Sequence, residues 1–149
     1  MTLRLFLGFL SVVLVAQAQA FPCYITIVKD SCWKDYDVSI KVEDVMSEKP
    51  ITNILIPSGE SWKRYEFSCK EKLTIQLKAT FSPVIWETDQ DKSYLSKSFL
   101  SFPDEIKPGQ TAWNMTVCYP GQFEGVPTPP DVSAGCRCDT KSIPPVAKR

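Results

Sequence analysis

Histidine is missing from all 149 residues. Its absence removes the general base of the usual serine and cysteine hydrolase triads and the commonest nitrogen ligand for zinc. Cysteine occurs six times but never as C-x-x-C, the spacing that zinc sites and thiol–disulfide oxidoreductases use. The closest pair, Cys136 and Cys138, is C-x-C. Neither sign of charge dominates: 17 Lys and Arg stand against 17 Asp and Glu, interspersed along the chain. No positive field exists to gather nucleic acid or an anionic membrane surface, so neither is expected as a partner. A convincing helical stripe is lacking as well; VEDVMSEK has room for a turn or two at best. Beyond residue 20 no apolar run approaches the roughly 20 residues that a membrane-spanning helix needs.

What the chain does have begins at its first residues. In MTLRLFLGFLSVVLVAQAQA, Arg4 supplies a positive n-region, Leu5 to Val15 an apolar run, and Ala18-Gln19-Ala20 a small-residue cleavage site. That layout reads as a secretory signal peptide over residues 1–20, with a soluble, secreted and extracellular product starting at Phe21. In an oxidising compartment an even set of cysteines reads as disulfides. Cys23, Cys32, Cys69, Cys118, Cys136 and Cys138 are therefore expected to form three bridges.

Period-two alternation dominates the middle of the chain. In YDVSIKVEDV, Tyr36, Val38, Ile40 and Val42 alternate with Asp37, Ser39, Lys41 and Glu43. Successive side chains of a strand point to opposite faces, so this is a half-buried strand. KLTIQLKATF repeats the pattern with Leu73, Ile75, Leu77, Ala79 and Phe81 on one face; TAWNMTV places Trp113, Met115 and Val117 inward. CYITIV, ITNILI and SWKRYEFSC are less regular but rich in β-branched and aromatic residues. FSPVIWE and SYLSKSFL are weaker candidates, with Pro83 pushing the first toward an edge. Turn signals at Ser47–Pro50, Pro57-Ser58-Gly59 and Pro108-Gly109 separate the runs. Together these predict an all-β, disulfide-stabilised antiparallel sandwich, Ig-like or similar, of about seven strands over residues 21–119. Residues 120–149 hold half of the chain's 12 prolines and no strand-length apolar run. They read as an extended, proline-rich tail.

The tail's two cysteines decide whether it floats. Parity puts Cys118 on the outer face with Asn114 and Thr116, while Cys23 and Cys69 share parity with core residues. A bond between Cys136 and Cys138 would strain so small a ring. One of them is therefore expected to reach Cys118, and the other Cys23, Cys32 or Cys69. Asn114-Met115-Thr116 is an N-glycosylation sequon on a polar strand face.

Catalytic readings find little footing. Asp35 with Asp37, and Asp89 with Asp91, are spaced like paired carboxylates. The first pair opens a strand and the second sits in ETDQDK, where solvated turn residues are the expected role. The D-x-D spacing of that loop is a weak calcium hint, without the glycine and the final glutamate of an EF-hand. No catalytic residue, metal site or cofactor is assigned. Of the tryptophans, Trp113 is expected in the core, Trp33 against a disulfide, and Trp62 exposed beside Arg64; Trp86 is ambiguous. Trp62, Arg64 and Arg137 are the candidate interface residues. Lys148-Arg149 reads as a solvated terminus. The leading expectation is a secreted, glycosylated, non-enzymatic binding or signalling protein that meets an extracellular or cell-surface protein. A carrier of a small hydrophobic ligand between the sheets is the second reading. A protease inhibitor presenting Arg137 as its bait residue is the third.

Overall fold

The computed structural model describes residues 21–132 and 134–147. The expected signal peptide and Lys148-Arg149 lie outside the described residues. Among the described residues eight strands form two sheets: β1 Phe21–Lys29, β2 Asp37–Asp44, β3 Pro50–Ile56, β4 Trp62–Cys69, β5 Thr74–Ser82, β6 Tyr94–Leu95, β7 Leu100–Ser101 and β8 Trp113–Tyr119. One sheet has the order β4-β1-β8; the other has β3-β2-β5-β6, with β7 also paired to β5. The architecture is a β-sandwich, as the alternation predicts. Every ladder is antiparallel except one: β1 and β8 run parallel, with Ile25 opposite Met115 and Ile27 opposite Val117.

The inward residues follow strand parity. Val38, Ile40 and Val42 of β2 and Ile75, Leu77 and Ala79 of β5 are fully buried, and they share one core with Ile25, Ile27 and Val117. Removing each Val, Ile or Leu side chain from water contributes roughly 1.5–3 kcal/mol. At one end of the core Trp33 is buried among aromatic rings, with Phe81 at 4.7 Å and Tyr36 and Tyr119 each at 5.0 Å. An aromatic cluster thus surrounds this tryptophan, and its neighbour Cys32 packs against the same core. The short 3-10 turn Ser31–Trp33 carries the ring inward between the sheets.

Two weak strand assignments are corrected. FSPVIWE remains strand only through Ser82, because Pro83 has no N–H with which to extend the ladder; Trp86 beyond it is 59% exposed. SYLSKSFL breaks into the two-residue strands β6 and β7. VEDVMSEK forms no helix: β2 runs to Asp44, and a turn with Glu48 at φ 56° leads into β3.

Lys29 ends β1 almost fully buried. Its ammonium donates to the carbonyls of Tyr36 at 2.7 Å, Pro57 at 2.8 Å and Lys34 at 3.5 Å. One cation thereby ties the β1–β2 connection to the β3–β4 connection.

Candidate functional site

β1 departs from simple alternation. It is the middle strand of its sheet and is buried on both faces. On the side away from the core, Tyr24 is 8% exposed, Thr26 0% and Val28 1%. Two-sided burial explains why CYITIV reads as a nearly unbroken apolar run rather than an alternating one. The tail is fastened along this face at Cys118, Val28 and Arg64. After β8 the chain turns through Pro120–Phe123, where Phe123 is buried against Tyr119 with ring centroids 5.4 Å apart. It later returns to the sheet at Cys136. Cys136 is bonded to Cys32, and Cys138 to Cys118. Between those bridges the Arg137 carbonyl accepts from the Ser31 N–H at 3.0 Å, and the Arg137 N–H donates to Ser31 Oγ at 3.3 Å. Cys138 Sγ lies 3.4 Å from the Val28 carbonyl oxygen. Farther on, the Pro144 carbonyl accepts from Arg64 Nη2 at 2.8 Å.

The six cysteines form three bridges. Cys118 pairs with a tail cysteine and the other tail cysteine reaches the N-terminal half, at Cys32. The remaining bond, Cys23–Cys69, links neighbouring strands β1 and β4 within one sheet rather than joining the two sheets. Asp30, Cys32 and Cys136 bring a carboxylate and two sulfurs together, but both sulfurs are spent in the Cys32–Cys136 bond. The Asp30 carboxylate accepts the Cys32 N–H at 2.9 Å as the cap of the 3-10 turn. Burial holds its carboxyl above the usual carboxylate range, against the opposing pull of the Cys32 and Trp33 N–H groups.

A directed chain of hydrogen bonds crosses the covered face. Arg64 Nε donates to Thr26 Oγ1 at 2.9 Å, and Thr26 Oγ1 donates to Asn114 Oδ1 at 3.0 Å. Arginine has no acceptor, so the threonine hydroxyl must spend its one proton on Asn114. That orients the asparagine amide: its oxygen faces the sheet and its nitrogen is turned toward Thr116 Oγ1, 3.5 Å away. The Arg64 guanidinium also lies 5.6 Å from the centre of the Trp62 ring. Trp62 is thus half-buried rather than openly exposed, and Arg64 joins β4, β1 and the tail. Arg137, in contrast, is exposed.

One carboxylate of each expected pair has a local partner. Asp37 accepts the Ser58 N–H at 2.7 Å, and Asp89 pairs with Lys92 at 2.8 Å. Two pockets among the described residues open outward: one of about 620 Å³ beside Trp62 and Arg64, and one of about 540 Å³ on the outer face of the five-stranded sheet near Lys41 and Lys78. No family model matches the chain, and no curated protein or solved structure is significantly similar to it.

Three disulfides and the lack, among the described residues, of any helix long and apolar enough to cross a membrane are consistent with an extracellular protein. Sequence reasoning missed Lys29, Thr26 and Ser31. Lys29 carries a weak signal, a lone cation at the end of an apolar strand, whereas nothing in the pattern sets Thr26 or Ser31 apart.

Proposed function

We propose that this chain is a secreted, glycosylated protein without enzymatic activity that binds an extracellular or cell-surface protein through its fastened tail. The observation that carries this reading is the double anchorage of Arg137. Disulfides hold the residues on either side of it, its backbone is paired to Ser31 in both directions, and its side chain remains exposed. An arginine displayed on backbone ordered in advance loses little backbone entropy on docking, and arginine is among the residues enriched at binding hot spots. The same geometry speaks against a bait loop. A serine protease needs the carbonyl of its bait residue in the oxyanion hole, and the Arg137 carbonyl is already bonded to Ser31. The test is saturable binding of labelled protein to a panel of cell types, competed by unlabelled protein, with Arg137→Glu weakening it at least tenfold. Absence of saturable binding on every cell type, or equal binding by Arg137→Glu, would count against the reading.

A further inference from the structure

The sandwich has open sheet edges, and unpaired strand edges invite pairing with other chains unless something blunts them. β4 carries Lys63, Arg64 and Glu66. β6 and β7 are two residues each. β3 opens with Pro50, and its ladder to β2 has a register shift between Val42 and Glu43. β8 has none of these devices. WNMTVCY contains no charge, proline or glycine, and such short, uncharged, β-prone segments are the ones that self-associate when exposed.

Its edge is open in detail. The Tyr119 carbonyl accepts from the Asp30 N–H at 2.8 Å, so the odd-numbered residues of β8 bond toward β1. The Cys118 N–H and carbonyl face the other way, onto Gln122 at 2.7 and 3.1 Å. Alternation then directs the backbone N–H and carbonyl groups of Asn114 and Thr116 outward, where no strand pairs with them among the described residues. These two residues are also the ends of the sequon. Thr26 holds the Asn114 amide oxygen, which leaves its nitrogen directed along β8 toward Thr116 Oγ1 on an exposed side chain.

We propose that an N-linked glycan on Asn114 is the missing edge device, keeping β8 from pairing with a second copy of this chain. The idea rests on the glycoprotein reading above. The transfer joins Asn114 Nδ2 to the anomeric carbon of a lipid-pyrophosphate-linked oligosaccharide. It breaks that carbon's bond to the pyrophosphate oxygen, releases the lipid pyrophosphate and gives one amide proton to solvent. The sugar then stands at the sheet margin, where its bulk crowds the space beside β8 that a pairing strand would enter.

Three forms of the full chain from secretory cells provide the test: the native protein, Thr116→Ala and Thr116→Lys. Both variants lose the sequon, but the lysine adds a charge to the edge. Site mapping by mass spectrometry should find Asn114 modified in the native protein; an unmodified Asn114 overturns this inference and the glycoprotein reading together. Sedimentation at matched concentration should find the native protein and Thr116→Lys monomeric, and Thr116→Ala associated with an affinity at least tenfold higher. Native protein trimmed to one sugar by an endoglycosidase after folding should behave like Thr116→Ala, which covers a variant that fails to fold. If trimmed protein and Thr116→Ala stay monomeric, or if Thr116→Lys associates equally, the edge role falls while the glycoprotein reading stands.

Discussion

Replacing Lys29 with methionine isolates what a buried cation does for this sandwich. Methionine keeps most of the unbranched stem, so packing changes little and the ammonium alone is lost. Two short bonds go with it, to Tyr36 at 2.7 Å and Pro57 at 2.8 Å; the Lys34 contact at 3.5 Å is at the limit and counts for little. Hydrogen bonds from a charged donor contribute about 1.5–3 kcal/mol each, and the carbonyls left behind lose a partner. Against this stands the desolvation of the ammonium, which pushes the Lys29 pKa down, while the carboxylates of Asp37, Glu60 and Asp35 pull it back up. The net loss should be about 3 kcal/mol, a large share of the 5–15 kcal/mol typical of a domain, and the midpoint of thermal unfolding should fall by on the order of 10 °C. Urea unfolding of Lys29→Met and native protein with disulfides intact measures it directly. A loss below about 1 kcal/mol would refute the reasoning, because it would mean that water replaces the ammonium at no cost.

Other perturbations probe the strap and the core. Arg64→Met removes the donors to Thr26 and Pro144; it should cost about 1–2 kcal/mol and hasten trypsin cleavage after Lys141. Breaking Cys118–Cys138 with paired serines opens a loop with a sequence separation of 20 and should cost about 3 kcal/mol on chain-entropy grounds. Hydrogen exchange should then rise over residues 139–147, while residues near Cys136 stay protected by Cys32. Asp30→Asn keeps an acceptor for the turn and removes a carboxylate whose pKa burial raises. Since a raised acid pKa means that ionisation costs stability at neutral pH, the variant's advantage over native protein should be present at pH 7. It should shrink as pH falls through the folded-state pKa toward the ordinary carboxylate value, as thermal melts across pH will show. Tyr119→Phe deletes a hydroxyl that is buried without a hydrogen-bond partner among the described residues; its melting point should be unchanged or higher.

Much of the architecture is legible in local pattern. Strand β2 and strand β5 could be read residue by residue because each has one wet face and one dry face, and period two records that directly. β1 resisted the same reading because its second face is buried as well, and a strand buried twice loses its alternation. The aromatic partners of Trp33 were illegible for a related reason: its neighbour in sequence is Cys32, but its ring neighbours, Phe81 and Tyr119, come from β5 and β8. Proximity in the chain says nothing about which ring a 3-10 turn will carry into a core.

The sequence by itself determined the all-β class, the expectation of three bridges, the sequon and the link of Cys118 to a tail cysteine. Each of these follows from residue type, count or parity, which are local properties. Tertiary structure alone decided which tail cysteine takes Cys118, that β8 runs parallel to β1, and that Arg64, Thr26 and Asn114 meet on one covered face. Those outcomes depend on which strands become neighbours, and the energy that selects neighbours comes from burying distant segments against one another rather than from any segment's own propensity.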